Sequence, residues 1–548
     1  MSTAIPVAAP SYAHGTSTTP LIGETIGENL ARIIAAHPGR EALVEVASGR
    51  RWTYSAFGEA VERLARGLLA RGVLKGDRVG IWAVNSAEWV MLQYATARVG
   101  ALLVNINPAY RAHELGYVLR QSGTQLLVAS LRHRDTDYRA FVDEVRPECP
   151  ELREAVYIGD PSWDALMEAG ADIPLARLRE REAELSCDDP VNLQYTSGTT
   201  GFPKGATLSH HNLLNNGFWV GETIGYTASD RVCLPVPFFH CFGMVMGNLG
   251  AMSHGACVVI PAPSFDARAT LEAVEKERCT SLYGVPTMFI AELNLPDFAS
   301  FDLTSLRTGI MAGSPCPVEV MKRVVAEMHM AEVSICYGMT ETSPVSCQTR
   351  ADDDLEHRTG TVGRVLPHLE IKVVDPVSGV TVPRGTRGEL CTRGYSVMLG
   401  YWEDPGRTAE VVDPGRWMHT GDLALMREDG YVEIAGRIKD MIIRGGENVY
   451  PREIEEFLHT HPKVSDVQVV GVPDARYGES VLACVIPRDP ADPPTLDEIR
   501  AFCRDRLASY KIPRRLEVLD AFPMTVSGKV RKIELRETYG GDGGDGDA

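Results

Sequence analysis

Short apolar segments alternate with longer amphipathic ones along most of this chain, and that alternation restricts the architecture more than any other feature. Residues 78–84 and 101–105 are apolar runs, the second bounded by Gly100 and Pro108, and residues 87–98 between them read as a helix. The succession continues through 125–129 and again through 257–260. Strands apolar at nearly every position must be buried on both faces, so the pattern predicts an α/β fold of parallel sheets covered by helices. A helix is expected from Thr25, where Thr25 and Glu28 have capping-box spacing and Ile26, Leu30, Ile33 and Ile34 form one stripe; another is expected over 55–69, closed by Gly72.

At 548 residues the chain exceeds the roughly 250 to 300 that a single hydrophobic core sustains, so at least two domains are expected. Beyond Gly436 the pattern shrinks to a helix from Pro451, strands over 467–472 and 481–486, and a helix capped by Thr495 and Glu498. This describes a small α+β domain, and the short link Gly436-Arg437-Ile438-Lys439-Asp440 would let it rotate. The expected limits are a flexible tail over 1–20, a large domain over 21–438, a mobile domain over 439–538 and a disordered acidic tail over 539–548. One Gly-Gly-Asp-Gly-Gly-Asp copy in that last tail cannot stack into a calcium-binding β-helix.

A formal charge of −18 opposes extended docking on nucleic acid or an anionic lipid surface. Small anionic ligands are unaffected, because they need only a local cluster of cations and backbone N–H groups. The first twenty residues lack a basic segment followed by an apolar run, and no stretch approaches the roughly 20 apolar residues of a spanning helix. The 12 cysteines are scattered, with no C-x-x-C pair. A soluble, cytoplasmic protein is expected, with no nucleic-acid partner and no transmembrane anchor.

The most informative segment is Thr196-Ser197-Gly198-Thr199-Thr200-Gly201-Phe202-Pro203-Lys204-Gly205, preceded by a strand-like run over 191–195. Small hydroxyl residues and three glycines let backbone N–H groups approach a phosphate chain, and Lys204 adds a mobile positive charge. It is not a Walker A loop, because Lys204 lies between Pro203 and Gly205 instead of in a Gly-Lys-Ser/Thr sequence.

The segment resembles the signature loop of the adenylate-forming, or AMP-binding, superfamily. Further motifs follow in that family's order: Phe238-Phe239-His240-Cys241-Phe242-Gly243, Ala312-Gly313-Ser314-Pro315, Tyr337-Gly338-Met339-Thr340-Glu341-Thr342, Thr420-Gly421-Asp422, Gly436-Arg437-Ile438-Lys439-Asp440, Gly445-Gly446-Glu447-Asn448 and Ser527-Gly528-Lys529. The resemblance covers residues 25–536 and is greatest to acyl-CoA synthetases of the medium-chain fatty-acid group. It implies the adenylate-forming fold, with a small C-terminal lid, and a reaction that joins a carboxylic acid, ATP and CoA with Mg²⁺ as cofactor.

The resemblance also implies roles for individual residues. Glu341 would hold Mg²⁺ with Thr196, and Thr340 would bind the α-phosphate. The loop residues Thr196, Ser197, Gly198, Thr199, Thr200, Gly201 and Lys204 would cradle the phosphates. Gly313, Ser314 and Pro315 would read the adenine edge beside Tyr337, Gly338 and Met339. Asp422 would accept from the ribose hydroxyls, with Arg437 on ribose or phosphate oxygens. Lys529 would bridge the attacking carboxylate and the α-phosphate. Lys439 is the hinge position, and Gly445 and Gly446 would face the pantetheine arm of CoA. His240 would gate an acyl pocket of Val236, Phe238, Met244, Val285 and Met339, whose apolar character suits an aliphatic or aromatic tail. An aryl-acid CoA ligase, an acyl-adenylate ligase for a carrier protein and, from another class, a non-catalytic nucleotide sensor remain open alternatives, and the resemblance is compatible with a homodimer.

Overall fold

The computed structural model describes residues 9–196, 203–314, 316–445, 447–474, 476–504, 506–525 and 530–540. Two compact units emerge: Ala13–Ile371 with Thr392–His419, and Met1–Tyr12 with Lys372–Cys391 and Thr420–Ala548.

The larger unit is built on two sheets. The first has seven strands in the order Gly400–Tyr401, Lys204–Ser209, Pro190–Thr196, Leu102–Asn105, Arg78–Trp82, Leu126–Ser130, Glu154–Ile158. Its last five strands are parallel neighbours. The second has nine strands, of which Glu332–Gly338, Thr308–Ala312, Ser281–Gly284, Arg231–Cys233, Cys257–Ile260 and Glu41–Glu45 run parallel in that spatial order. Strands such as Leu102–Asn105 and Cys257–Ile260 are buried at every position, as their unbroken apolar sequences require.

The helices are set by local signals. Thr25 accepts from the Glu28 amide at 3.2 Å while the Glu28 carboxylate accepts from the Thr25 amide at 2.7 Å, starting Ile26–Ala36. The next two are Tyr54–Ala70 and Ala87–Val99, and the latter is buried along its whole length. A helix enclosed all round shows no amphipathic stripe.

The segment expected to be a flexible tail over 1–20 contains the strand Tyr12–His14. Ser11 before it is fully buried; its amide donates to the Val382 carbonyl at 2.8 Å and its carbonyl accepts from Val373 at 2.8 Å. Backbone pairing holds residues 11–15, and three residues are too few to show a strand period.

In the smaller unit, residues 422–426 of the strand Met418–Met426 pair antiparallel with Val432–Arg437. A second sheet has the order Glu447–Val449, Ile442–Arg444, Gly478–Pro487, Val464–Asp474, with Arg515–Val518 also on Gly478–Pro487. Val467 and Val469 point to one core, with Ile454 and Ile499 from two helices. Val470 and Val472 point to the other, with Leu535 from the last helix. Strand alternation thus gives one sheet two buried faces. Residues 420–438 group with this unit.

One buried group makes stability depend on pH. His210 is fully buried; its Nδ1 accepts from the Ile26 amide at 3.2 Å, and among the described residues its Nε2 has no partner. Burial lowers its pKa from 6.5 to about 4, only partly offset by Asp189. A lowered folded pKa means that the unfolded chain takes up the proton first. The contribution is therefore complete above pH 6.5 and is lost as pH falls toward 4, at up to about 1.4 kcal/mol per unit. Urea denaturation at pH 7.5 and 5 is expected to show a larger loss for the wild type than for His210→Asn; equal losses would contradict this account.

Candidate active site

The phosphate-loop segment joins the two strands of an antiparallel hairpin, Pro190–Thr196 with Lys204–Ser209, in which Thr196 pairs with Lys204. The Thr196 hydroxyl lies 3.5 Å from the Lys204 carbonyl. Ser197, Gly198, Thr199, Thr200 and Gly201 lie outside the described residues, but both ends of the loop are held. The Tyr117 hydroxyl donates to the Pro203 carbonyl at 3.2 Å, the Trp402 amide donates to the Gly205 carbonyl at 2.7 Å, and the Tyr195 hydroxyl donates to the Gln121 side chain.

Lys204 and Glu341 meet across Tyr401. The Lys204 ammonium sits 5.1 Å from the centre of the Tyr401 ring, and the Tyr401 hydroxyl donates to Glu341 Oε1 at 2.7 Å. Glu341 is buried in the turn Thr340–Thr342, its carbonyl accepting from the Met398 amide at 2.9 Å. Burial, then the Glu341 carboxylate, pushes the Tyr401 phenol far above its ordinary pKa, so it stays a donor at working pH. Tyr401 was not found by sequence reasoning; it lies on the two-residue strand Gly400–Tyr401, too short for a readable pattern, and its neighbours come from distant segments.

Tyr401→Phe keeps the ring under Lys204 and removes the hydroxyl. A hydrogen bond to a charged group contributes about 1.5 to 3 kcal/mol, and part of that should appear as about 3- to 10-fold weaker binding of ATP with Mg²⁺ in calorimetry without acid. Unchanged affinity would remove Tyr401 from the site.

The remaining candidates of the larger unit gather at the carboxyl ends of adjacent parallel strands, where open α/β sheets bind ligands. Tyr337 and Gly338 end Glu332–Gly338, Gly313 and Ser314 follow Thr308–Ala312, Val285 follows Ser281–Gly284, and Val236 follows Arg231–Cys233. Tyr337, Met339 and Thr340 are half-buried and Gly313 is exposed. Pro315 lies outside the described residues.

Of the expected acyl-pocket residues, His240 and Met339 keep accessible surface, whereas Val236 and Phe238 are fully enclosed and Met244 and Val285 nearly so. The Asn85 side chain brackets this loop: its amide donates to the Val236 carbonyl at 2.9 Å, and its oxygen accepts from the Phe238 amide at 2.9 Å. Phe238 meets the Trp89 ring edge-on at 5.7 Å. His240 Nδ1 accepts from the Phe242 amide at 3.3 Å, which leaves the ring proton on Nε2. A π-helix, Phe242–Leu249, follows directly.

In the smaller unit, Asp422 and Arg437 are register partners, with Arg437 Nε 3.5 Å from Asp422 Oδ1. Gly421, at φ 70°, turns the chain before Asp422, and its amide donates to Glu389 at 3.0 Å. Lys439 is exposed in the turn Ile438–Asp440. Gly445, at φ 61°, donates to the Tyr477 carbonyl at 2.8 Å, and a Cβ there would stand 3.2 Å from the Tyr477 ring. Gly446 and Lys529 lie outside the described residues.

Residues 30–402 match the AMP-binding enzyme family, and residues 453–529 match the AMP-binding enzyme C-terminal domain. The chain belongs to the AMP-binding enzyme family. The protein YngI of Bacillus subtilis (strain 168) is 49% identical over 94% of this chain and 97% of its own length. The mitochondrial medium-chain acyl-CoA ligase ACSF2 of Danio rerio is 45% identical over 97% of this chain and 91% of its own. Among solved structures, the anthranilate CoA ligase AuaEII in complex with anthranoyl-AMP superimposes with a TM-score of 0.86 at 28% identity, covering 95% of this chain and 98% of that one. The adenylate-forming fold expected for this AMP-binding enzyme is thereby borne out. Among the described residues, no helix is long and apolar enough to cross a membrane.

Proposed function

We propose that this AMP-binding enzyme is an ATP-dependent acyl-CoA synthetase of medium-chain aliphatic acids. The acid attacks the α-phosphorus of ATP, pyrophosphate leaves, and the acyl-adenylate passes its acyl group to the CoA thiol with release of AMP. The observation that carries this reading is the line Lys204–Tyr401–Glu341 at the base of the phosphate hairpin. An anion attacking a polyanion needs neutralisation and in-line positioning, and here a cation lies over the ring of one phenol whose hydroxyl holds a carboxylate.

The donor set fits Mg²⁺. The Glu341 carboxylate and the Thr196 hydroxyl are hard oxygens, and the Tyr401 hydroxyl engages only Oε1 of Glu341. Bound there, Mg²⁺ would withdraw charge from the phosphate oxygens. Lys204 neutralises the phosphate chain, and Thr340 donates to the α-phosphate. Asp422 accepts from the ribose hydroxyls while Arg437, directly across the strand pair, holds ribose or phosphate oxygens. Tyr337 and the backbone at Gly313 and Ser314 border the adenine. Lys529 bridges the two reacting anions. The domain over 439–538 then turns about Lys439, withdraws Lys529 and brings Gly445 and Gly446 to the pantetheine arm, where side-chain-free walls suit a narrow thiol channel.

Met339, which keeps accessible surface, is apolar, and Val236, Phe238, Met244 and Val285 are enclosed apolar residues of the same expected set; this character supports an aliphatic tail, in keeping with the name of the ACSF2 relative. The name of the AuaEII structure keeps an aromatic acid as the second reading. Pyrophosphate release from ATP and Mg²⁺ across aliphatic acids of increasing length and aromatic acids, with and without CoA, decides between them. Turnover peaking at medium chain length and raised by CoA is expected; a peak at aromatic acids favours the second reading, and no turnover with any acid overturns both.

A further inference from the structure

A buried array of amide side chains connects the strand that carries the phosphate loop to the wall assigned to the acyl pocket. Asn105 and Gln194 are register partners on the parallel strands Leu102–Asn105 and Pro190–Thr196, each 1% exposed. The Asn105 amide nitrogen donates to Gln194 Oε1 at 3.0 Å and to the Phe239 carbonyl at 3.2 Å, and it also contacts the Met244 sulfur at 3.2 Å. The Gln194 amide donates to the same Phe239 carbonyl. Two buried carboxamides therefore converge on one peptide oxygen, and that peptide supplies the amide nitrogen of His240. Behind them, Asn192 donates to Asn105 Oδ1 at 3.0 Å and to the Leu103 carbonyl at 2.7 Å without reaching Phe239.

Two donors on a single carbonyl exceed what burial of that carbonyl requires, since one partner suffices. Carboxamides in a dry interior also interact strongly and specify one arrangement. Gln194 stands two residues before Thr196, so a ligand bound at the phosphate loop acts on a strand whose side chain already grips the His240 peptide.

We propose that Asn105 and Gln194 are positioning residues that couple the nucleotide loop to the acyl pocket, so that filling one site tightens the other. This rests on the reading of residues 196–204 as the nucleotide loop and of the His240–Met244 segment as the acyl wall. The coupling is reciprocal: the factor by which nucleotide improves acid binding equals the factor by which acid improves nucleotide binding.

The test uses α,β-methylene-ATP with Mg²⁺, whose bridging carbon blocks pyrophosphate departure, and octanoate as the acid. Calorimetry of the full-length wild type is expected to show octanoate binding at least about 5-fold tighter when the nucleotide analogue is saturating. In Gln194→Met, which keeps the bulk and removes the donor, that factor should fall to about 1 while the affinity for the analogue alone stays within about 2-fold. Asn192→Ala is the control: it perturbs the same array without touching Phe239, and should lower thermal stability yet keep the coupling. In the wild type, hydrogen exchange over 238–246 should slow when the analogue binds, and this readout stands even if a variant fails to fold. Both ligands binding without coupling, equal loss of coupling in Asn192→Ala, or unaltered exchange would each overturn the proposal. Failure of octanoate to bind under any condition would overturn the acyl-pocket reading and the proposal together.

Discussion

Replacement of Lys529 by alanine is expected to slow adenylate formation by about 100- to 1,000-fold, the cost of removing one preorganised donor from developing charge, or about 3 to 4 kcal/mol of barrier. The reason is electrostatic. Two anions meet at the α-phosphorus, and a lysine that touches both, as proposed for Lys529, would have more charge to stabilise in the transition state than in either ground state. The second half-reaction has no such requirement, because the acyl-adenylate is already activated and the thiol attacks a neutral carbonyl carbon. Thioester formation from preformed acyl-adenylate and CoA is therefore expected to stay within about 2-fold of the wild type. Single-turnover pyrophosphate release and thioester formation, measured separately, check the two halves. Equal loss in both would assign Lys529 to general architecture, and no loss in the first would remove it from the mechanism. The nucleotide-sensor alternative predicts that neither rate is measurable in the wild type.

The second large effect is expected at Gly338. A Cβ at this position would lie 1.7 Å from the Pro344 carbonyl oxygen and 2.7 Å from its carbon, so the clash is with backbone and not with a side chain that could rotate away. Gly338 pairs with Val345 at the end of an antiparallel turn that also holds Thr340 and Glu341. The Met339 amide donates to the Pro344 carbonyl at 3.0 Å, and the Thr342 hydroxyl donates to the same oxygen at 2.7 Å. Moving Pro344 to admit a methyl group would break both bonds and displace Glu341 from the Tyr401 hydroxyl. Gly338→Ala should lose about 3 kcal/mol or more in urea denaturation together with nearly all pyrophosphate release. Gly39, where a Cβ would meet nothing within 4 Å, is the control, and its alanine variant should remain within about 0.5 kcal/mol. A Gly338→Ala protein with wild-type stability and turnover would show that the turn does not need this close approach.

Local features are legible in the sequence. The capping boxes at Thr25–Glu28 and Thr495–Glu498 are both present, since each joins residues one helical turn apart. Apolar runs at 101–105 and 257–260 appear as the buried strands Leu102–Asn105 and Cys257–Ile260. The strand expected over 467–472 is longer, Val464–Asp474, because its ends pair in register with Gly478–Pro487 beyond the apolar stretch. The Tyr12–His14 strand carries no such local signal, since its order comes from distant backbone.

The site divides in the same way. The residues proposed for it, from the Thr196–Gly205 segment through Glu341 to the Asp422 and Arg437 positions, are picked out by the sequence alone, because the phosphate cradling and charge pairing proposed for them demand particular residue types in short spans. The sequence by itself determined the family, the α/β architecture and the reaction class. Tertiary structure alone decided that Tyr401 stands between Lys204 and Glu341, that Asp422 faces Arg437 across a strand pair, and that Asn105 and Gln194 converge on the Phe239 carbonyl. Those contacts depend on which strands become neighbours and in what register, and no segment's own sequence records the register of its partner.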